Sequence, residues 1–177
     1  SLTMTAIGGA LLWVGWFGFN AGSALEANGT AALAMINTFV ATAAAALGWL
    51  LVEHVQKGKP SLLGAVSGAV AGLVAVTPAA GYAGPMGALV LGLTAGAICF
   101  VFCTTIKNKF GYDDAMDVFG VHCIGGIVGA LGTGIVAAPV LGGTGIFDYT
   151  IGKVAAEYAI GGQVLIQAKA VLATLLW

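Results

Sequence analysis

DVFGVHCIGGIVG, residues 117–129, decides how this chain is read. His122 lies inside an apolar run that continues to about Ala138, and Asp117 stands at its start. A membrane helix beginning near Asp117 would carry His122 roughly 7 to 8 Å along its axis, at about 1.5 Å per residue. An ionisable ring at that depth is costly unless it is paired or used, so it is a functional residue by default. A ring bonded to a neighbouring carbonyl satisfies the same physics, and the stretch alone leaves both readings open.

The surrounding composition places that run in a bilayer. The chain has 177 residues, 59% hydrophobic and 7% charged, with a mean hydropathy of +1.02. A soluble domain carries about a quarter charged residues, so an ordinary water-facing surface is excluded. The net charge is -1 and the six basic residues, all Lys, form no patch that could follow a phosphate backbone, which excludes nucleic acid as a partner. Cys99, Cys103 and Cys123 fall in apolar runs, with neither a disulfide framework nor metal-ligand spacing. They read as small hydrophobes. No enzymatic activity, cofactor or metal is expected.

Six apolar stretches of spanning or near-spanning length follow one another: 4–24, 31–52, 61–79, 86–106, 117–138 and 160–177. About 20 apolar residues cross a hydrocarbon core of about 30 Å, so the third is short and the sixth reads as cut. The joints are LEANGT (25–30), EHVQKGKPS (53–61), TPAAGYAGP (77–85), KNKFGYDD (107–114) and the long Gly-rich 141–162. Lys57, Lys59, Lys107 and Lys109 lie in the second and fourth joints, while the alternating joints contain only Lys153. The positive-inside rule makes the second and fourth cytoplasmic, so the first helix and the histidine helix both run outward. The first run is too long for a signal-peptide core and has no basic residue before it, so it reads as a spanning helix. The absence of an initiator Met, with a last run that stops at Trp177, leads us to expect a piece of a longer protein.

Glycines recur at four-residue spacing: Gly64, Gly68 and Gly72; Gly92 and Gly96; Gly125 and Gly129. Each set lies on one helix face and predicts close backbone approach. Gly125 and Gly129 are expected on or beside the His122 face. A second pattern runs up the first helix, where Leu12, Trp16, Phe19 and Ser23 step by four, three and four residues into one stripe. It passes from aliphatic through aromatic to hydroxyl near the outer end. Ring faces attract ammonium-like cations by about 0.5 to 2 kcal/mol, and a hydroxyl can accept their N–H bonds. An interfacial aromatic belt is the competing explanation, but Trp13 and Trp16 lie near mid-helix, where a belt residue has no place.

GWFGFNAGSA (15–24), GKPSLLGAVSGAVAGLVAVTPAAGY (58–82) and DVFGVHCIGGIVG (117–129) resemble the ammonium transporter family, the Amt/Mep/Rh group, and its microbial Amt branch in particular. The resemblance covers essentially the whole chain. It implies an all-α polytopic membrane protein: an eleven-helix bundle of two inverted five-helix halves, of which this chain would be the second, helices six to ten plus part of eleven. It further implies a homotrimer with one pore per subunit, in the plasma or bacterial inner membrane, with a PII-type signalling protein as a possible cytoplasmic partner.

Carried over by motif, His122 matches the second of a pair of pore histidines. Phe19 matches a phenylalanine closing the pore mouth, Trp16 a tryptophan beside the histidine pair, and Ser23 the hydroxyl of the outer ammonium recruitment site. Leu12 and Val118 correspond to apolar pore lining. Asp117 is expected to cap the histidine helix. Ser67 and Thr77 are expected to bond their own helices, and His54 to lie on the surface. The function implied is transmembrane ammonium transport: recruitment and deprotonation at the mouth, then conduction of ammonia and a proton past the histidines. A pore passing ammonia alone is the rival mechanism. A sensor of the same fold is the alternative function, and a water or urea channel does not account for Phe19, Ser23 and His122 together.

Overall fold

The structure, a computed structural model, describes residues 1–148, 152–155 and 157–177. It is all-helical apart from one small hairpin. The helices are α1 (Leu2–Gly22), α2 (Gly29–Lys57), α3 (Leu62–Val76), α4 (Pro85–Val101), α5 (Ile124–Val136) and α6 (Ile160–Leu176). Among the described residues, five helical segments are long and apolar enough to cross a membrane: Leu2–Gly22, Gly29–Lys57, Leu62–Ala79, Pro85–Phe110 and Phe119–Val136.

Local chemistry sets their ends. Asn28 caps α2 by accepting from the Ala31 N–H at 3.0 Å, and Gly58 ends the helix at φ 78°, a conformation without penalty for glycine. Ser61 caps α3 through the Gly64 N–H. Pro78, which has no N–H to donate, closes α3 into a 3₁₀ turn over Thr77–Ala79. Two helices are opened by one extra residue into π-turns. The first, Phe102–Ile106, extends α4 into a last turn, Lys107–Phe110. The second, Phe119–Cys123, begins the histidine helix and leads into α5.

The bundle is built on α2, which lies between α3 and α4 and packs on both more extensively than any other pair of helices packs. The spaced glycines make this possible. A Cβ at Gly68 would lie 2.6 Å from Trp49 Cβ, and one at Gly72 2.6 Å from Ala45 Cβ. At Gly92 and Gly96 it would meet the carbonyl oxygens of Ala41 and Ala45. From Gly72–Ala41 to Gly68–Trp49 the contacts run antiparallel, and from Gly92–Ala41 to Gly96–Ala45 they run parallel, as alternating spans require. Gly129 approaches the Ala75 backbone in the same way, whereas Gly125 keeps ordinary distances of 3.4 Å to Val74 and 3.5 Å to Cys99. Gly64 differs in kind: its neighbours are the carboxylate of Glu53 and the hydroxyl of Ser61.

The joints sort to two ends. Thr144 N–H donates to the Tyr82 carbonyl at 2.8 Å, and Gly81 faces Thr30 at 3.5 Å, which gathers the first, third and fifth joints. At the opposite end the Lys57 ammonium stands 5.2 Å from the Phe100 ring centre, and Thr105 Oγ1 donates to Gln56 Oε1 at 3.4 Å. There Glu53, 4% exposed, accepts from the Ser61 N–H at 3.0 Å and Oγ at 3.0 Å and pairs with Lys57 at 3.4 Å. His54 is exposed beside it. The long joint 141–162 is more than a Gly-rich link: β1 (Phe147–Asp148) and β2 (Lys153–Val154) form an antiparallel pair with Phe147 opposite Val154. Residues 149–151 and 156 of that joint lie outside the described residues.

Because bulk at Gly96 must push against backbone, Gly96→Val is expected to lower the melting temperature of the detergent-solubilised protein, with a cost of about 1–3 kcal/mol for overpacking. Gly18→Ala, where a Cβ meets nothing within 4 Å, is expected to leave it unchanged. Equal melting of the two variants would remove the seam from its central place.

Candidate functional site

The stripe on α1 is real and open. Leu12, Phe19 and Ser23 are exposed and Trp16 is partly buried. Gly8, Leu11, Leu12, Gly15, Trp16 and Phe19 line a shallow apolar groove of about 520 Å³. The absence of side chains at Gly8 and Gly15 is what hollows it. Trp16 is fixed at the groove's side: its Nε1–H donates to Thr77 Oγ1 at 2.8 Å, and that hydroxyl donates to the Leu73 carbonyl at 2.8 Å. Its ring meets Phe19 edge-on, 5.7 Å between centres, a geometry that ring quadrupoles favour.

Phe19 and Ser23 also belong to a larger cavity of about 540 Å³ at the end where the first, third and fifth joints gather, with Asn20, Thr77, Tyr82 and Phe147 in its wall. The hydrogen bonds there leave acceptors on offer. Ser23 Oγ donates to the Phe19 carbonyl at 2.6 Å, so its lone pairs remain. Thr38 Oγ1 donates to Ala34 O at 2.6 Å and accepts from Asn20 Nδ2 at 3.0 Å, which turns the Asn20 carbonyl oxygen away from Thr38. A mouth of acceptors beside a ring face suits a ligand made of N–H donors.

On the other side of α3 stands the histidine helix. Trp16 is held by Leu73 and Thr77, while Gly125 and Gly129 face Val74 and Ala75, so the stripe helix and the histidine helix rest on the same turns of α3. His122 is exposed, and its ring makes no hydrogen bond to a described residue; the bond to a neighbouring carbonyl is absent. Val118 is 55% exposed one turn earlier.

Gly129 is buried against Ala75 and Gly125 lies near Val74 and Cys99, while His122, within the π-turn whose Ile124 N–H reaches back to the Phe119 carbonyl five residues earlier, is exposed.

Asp117 does not cap this helix. Its φ is 54°, and its carboxylate pairs with the Lys107 ammonium at 2.8 Å. The cap is Asp114, whose two carboxylate oxygens accept from the N–H groups of Phe119 and Gly120, each at 3.1 Å. Partial burial pushes the Asp114 carboxyl up, but the N–H groups of Gly120, Phe119 and Val118 and the Lys107 charge outweigh it and hold the group below its usual range. Thr77 bonds its own helix as expected; Ser67 makes no such bond among the described residues.

Residues 1–177 match the model of the Ammonium Transporter Family. The chain is 50% identical over its full length to an ammonium transporter of Aquifex aeolicus, covering 40% of that protein. It is 55% identical over 137 residues to an ammonium transporter of Bacillus subtilis, covering 77% of this chain and 34% of that protein. This chain belongs to the ammonium transporter family. Among solved structures, Saccharomyces cerevisiae Mep2 superposes with a TM-score of 0.86 at 33% identity, covering 100% of this chain and 42% of Mep2. A structure described as a sensor Amt protein superposes at 0.84 with 27% identity, covering 98% and 40% of the two chains. The chain thus spans about two fifths of the length of these relatives, as a multi-pass membrane protein of the Amt/Mep fold.

Within this transporter-family chain, sequence reading passed over Asn20, Asn37 and Asp114. Asn20 follows Phe19 directly, and its lack of any place on the apolar stripe was the available signal. Asn37 donates to the Ala80 and Ala83 carbonyls at 2.8 and 2.6 Å, tying α2 to the third joint beneath the cavity.

A carboxyl held below its unfolded value contributes stability above that value, near about 3.9 for Asp, and the contribution is lost as pH falls through the folded value. Wild type is therefore expected to lose melting temperature between about pH 5 and pH 3 more steeply than Asp114→Asn. Parallel acid melting curves would show that Asp114 has no such role.

Proposed function

We propose that this chain is part of a transmembrane ammonium transporter, as the second inverted half of its bundle, and that the open side carrying the α1 stripe and His122 is pore wall. The carrying observation is the continuous sequence of surfaces along α1: an acceptor-lined cavity with Ser23, then Phe19 and Trp16, then the apolar groove ending at Leu12. Surfaces of that kind perform successive tasks. Ser23 accepts hydrogen bonds from an incoming ammonium ion while the Phe19 face attracts its charge. Potassium offers no directed N–H bonds to such acceptors.

Past Phe19 an intact ion would have to cross apolar surface at a cost of many kilocalories. Loss of a proton at the mouth removes that cost for the nitrogen species. His122 then receives ammonia with a ring nitrogen and, with a second histidine from the remainder of the protein, relays the proton. Leu12 and Val118 keep the inner part dry. A homotrimer, and a PII-type protein at the cytoplasmic joints, belong to the same reading.

A second reading has one observation in its favour, the likeness to a sensor Amt protein. In it the same cavity binds ammonium and the pore conducts nothing.

Full-length protein in proteoliposomes separates these. Ammonium-evoked current and nitrogen uptake are expected together in wild type, and His122→Ala is expected to lose the current or its selectivity while the assembly persists. Binding without current or uptake in wild type would establish the sensor instead, and uptake without charge movement would remove the proton relay.

A further inference from the structure

We propose that Lys107 and Asp114 are positioning residues for His122, acting through the π-turn that carries it; this rests on the reading of His122 as pore wall. His122 lies within the π-turn Phe119–Cys123 and is exposed, so the extra residue of that turn bears on where its ring points. A π-turn has poorer intrinsic geometry than an α-turn and persists where its surroundings impose it, often at functional sites. Here the surroundings can be named.

Asp114 takes the N–H groups of Phe119 and Gly120, each at 3.1 Å, so the first turn is held by a carboxylate rather than by its own ladder. Lys107 holds that carboxylate's own segment: its ammonium donates to the Asp114 carbonyl at 2.6 Å and to Asp117 Oδ1 at 2.8 Å. Asp117 is kept in the left-handed region at φ 54°, uncommon for a non-glycine residue, and its backbone oxygen accepts from the Val121 N–H at 2.8 Å. One cation thus fixes both the entry to the helix and the residue that bonds its second turn.

The other end of the clasp is a π-turn as well. Lys107 closes the Phe102–Ile106 turn of α4, its N–H reaching the Phe102 carbonyl. Tyr112 Oη donates to that same carbonyl at 3.2 Å, and its ring packs edge-on against Phe119 at 5.4 Å. Gly120 lies against Cys103 with no room for a side chain. The two π-turns face each other, and the Lys107 ion pair spans them at the cytoplasmic end. Among the described residues no hydrogen bond or ring contact joins this arrangement to the α1 stripe, so loosening it would redirect His122 while leaving the outer cavity as it is.

The test uses full-length protein, confirmed as the wild-type assembly, in proteoliposomes, with ammonium current across a pH series and 15N spectra of the His122 ring. Lys107→Met and Asp114→Asn are expected to lower the maximal current by about tenfold or more, to move the pH profile and the His122 resonances, and to leave half-saturation unchanged. Lys107→Arg should restore all three, and Lys57→Met, which breaks the other cytoplasmic ion pair, should alter none. Should Lys107→Met fail to assemble, Asp114→Asn, nearly isosteric with the native residue, carries the same comparison. Wild-type profiles and resonances in the clasp variants, or equal changes in Lys57→Met, would overturn the proposal. His122→Ala in the same series separates the two claims: if it conducts normally, the pore-wall reading fails, and if it alone is affected, only the clasp fails.

Discussion

Close approach of backbone to backbone along α2 is the constraint on which this structure depends. Lipid is as apolar as a leucine side chain, so burying hydrocarbon gives membrane helices no reason to associate, and contact must come from shape. Gly68 and Gly72 on α3 and Gly92 and Gly96 on α4 supply that shape against Ala41, Ala45 and Trp49. With α2 held on both sides, α3 becomes the fixed strut on which the stripe helix and the histidine helix rest. Trp16 is bonded to its C-terminal end, and Gly129 brings the histidine helix against Ala75 on its other flank.

Polar groups then divide between two tasks. Glu53, Asn37 and Thr42 are buried and complete the ends and crossings of the scaffold, as the absence of water in a bilayer core demands. Ser23 and His122 are exposed, and buried Asn20 lines the cavity beside Ser23. On the proposed reading, the exposed histidine and aromatic stripe face a wall supplied by the remainder of the protein, of whose relatives' length this chain spans about two fifths.

Much of this was legible in the residues alone. Apolar runs gave the helices, lysine placement sorted the joints, and four-residue glycine spacing marked the seams, because each is a periodic or compositional signal. Hydrogen-bond register is neither. The π-turn at Phe119–Cys123 adds a residue to a turn without altering the apolar pattern, so spacing carried no sign of it. Asp117 stands at the start of the apolar run and was therefore expected to cap it; Asp114, three residues earlier, does so instead, while Lys107 from another helix engages Asp117. The Thr38–Asn20 pair, the Glu53–Ser61 cap and the β1–β2 pair likewise depend on segments brought together only by folding.

If the open side of this chain is the wall of a pore, as proposed, a map of the full-length protein in lipid with ammonium will show density in the cavity against Ser23 and Phe19, with the His122 ring facing a second wall across a narrow passage. A His122 ring and α1 stripe directed into lipid, or packed solidly against a neighbour with no passage between, would contradict it.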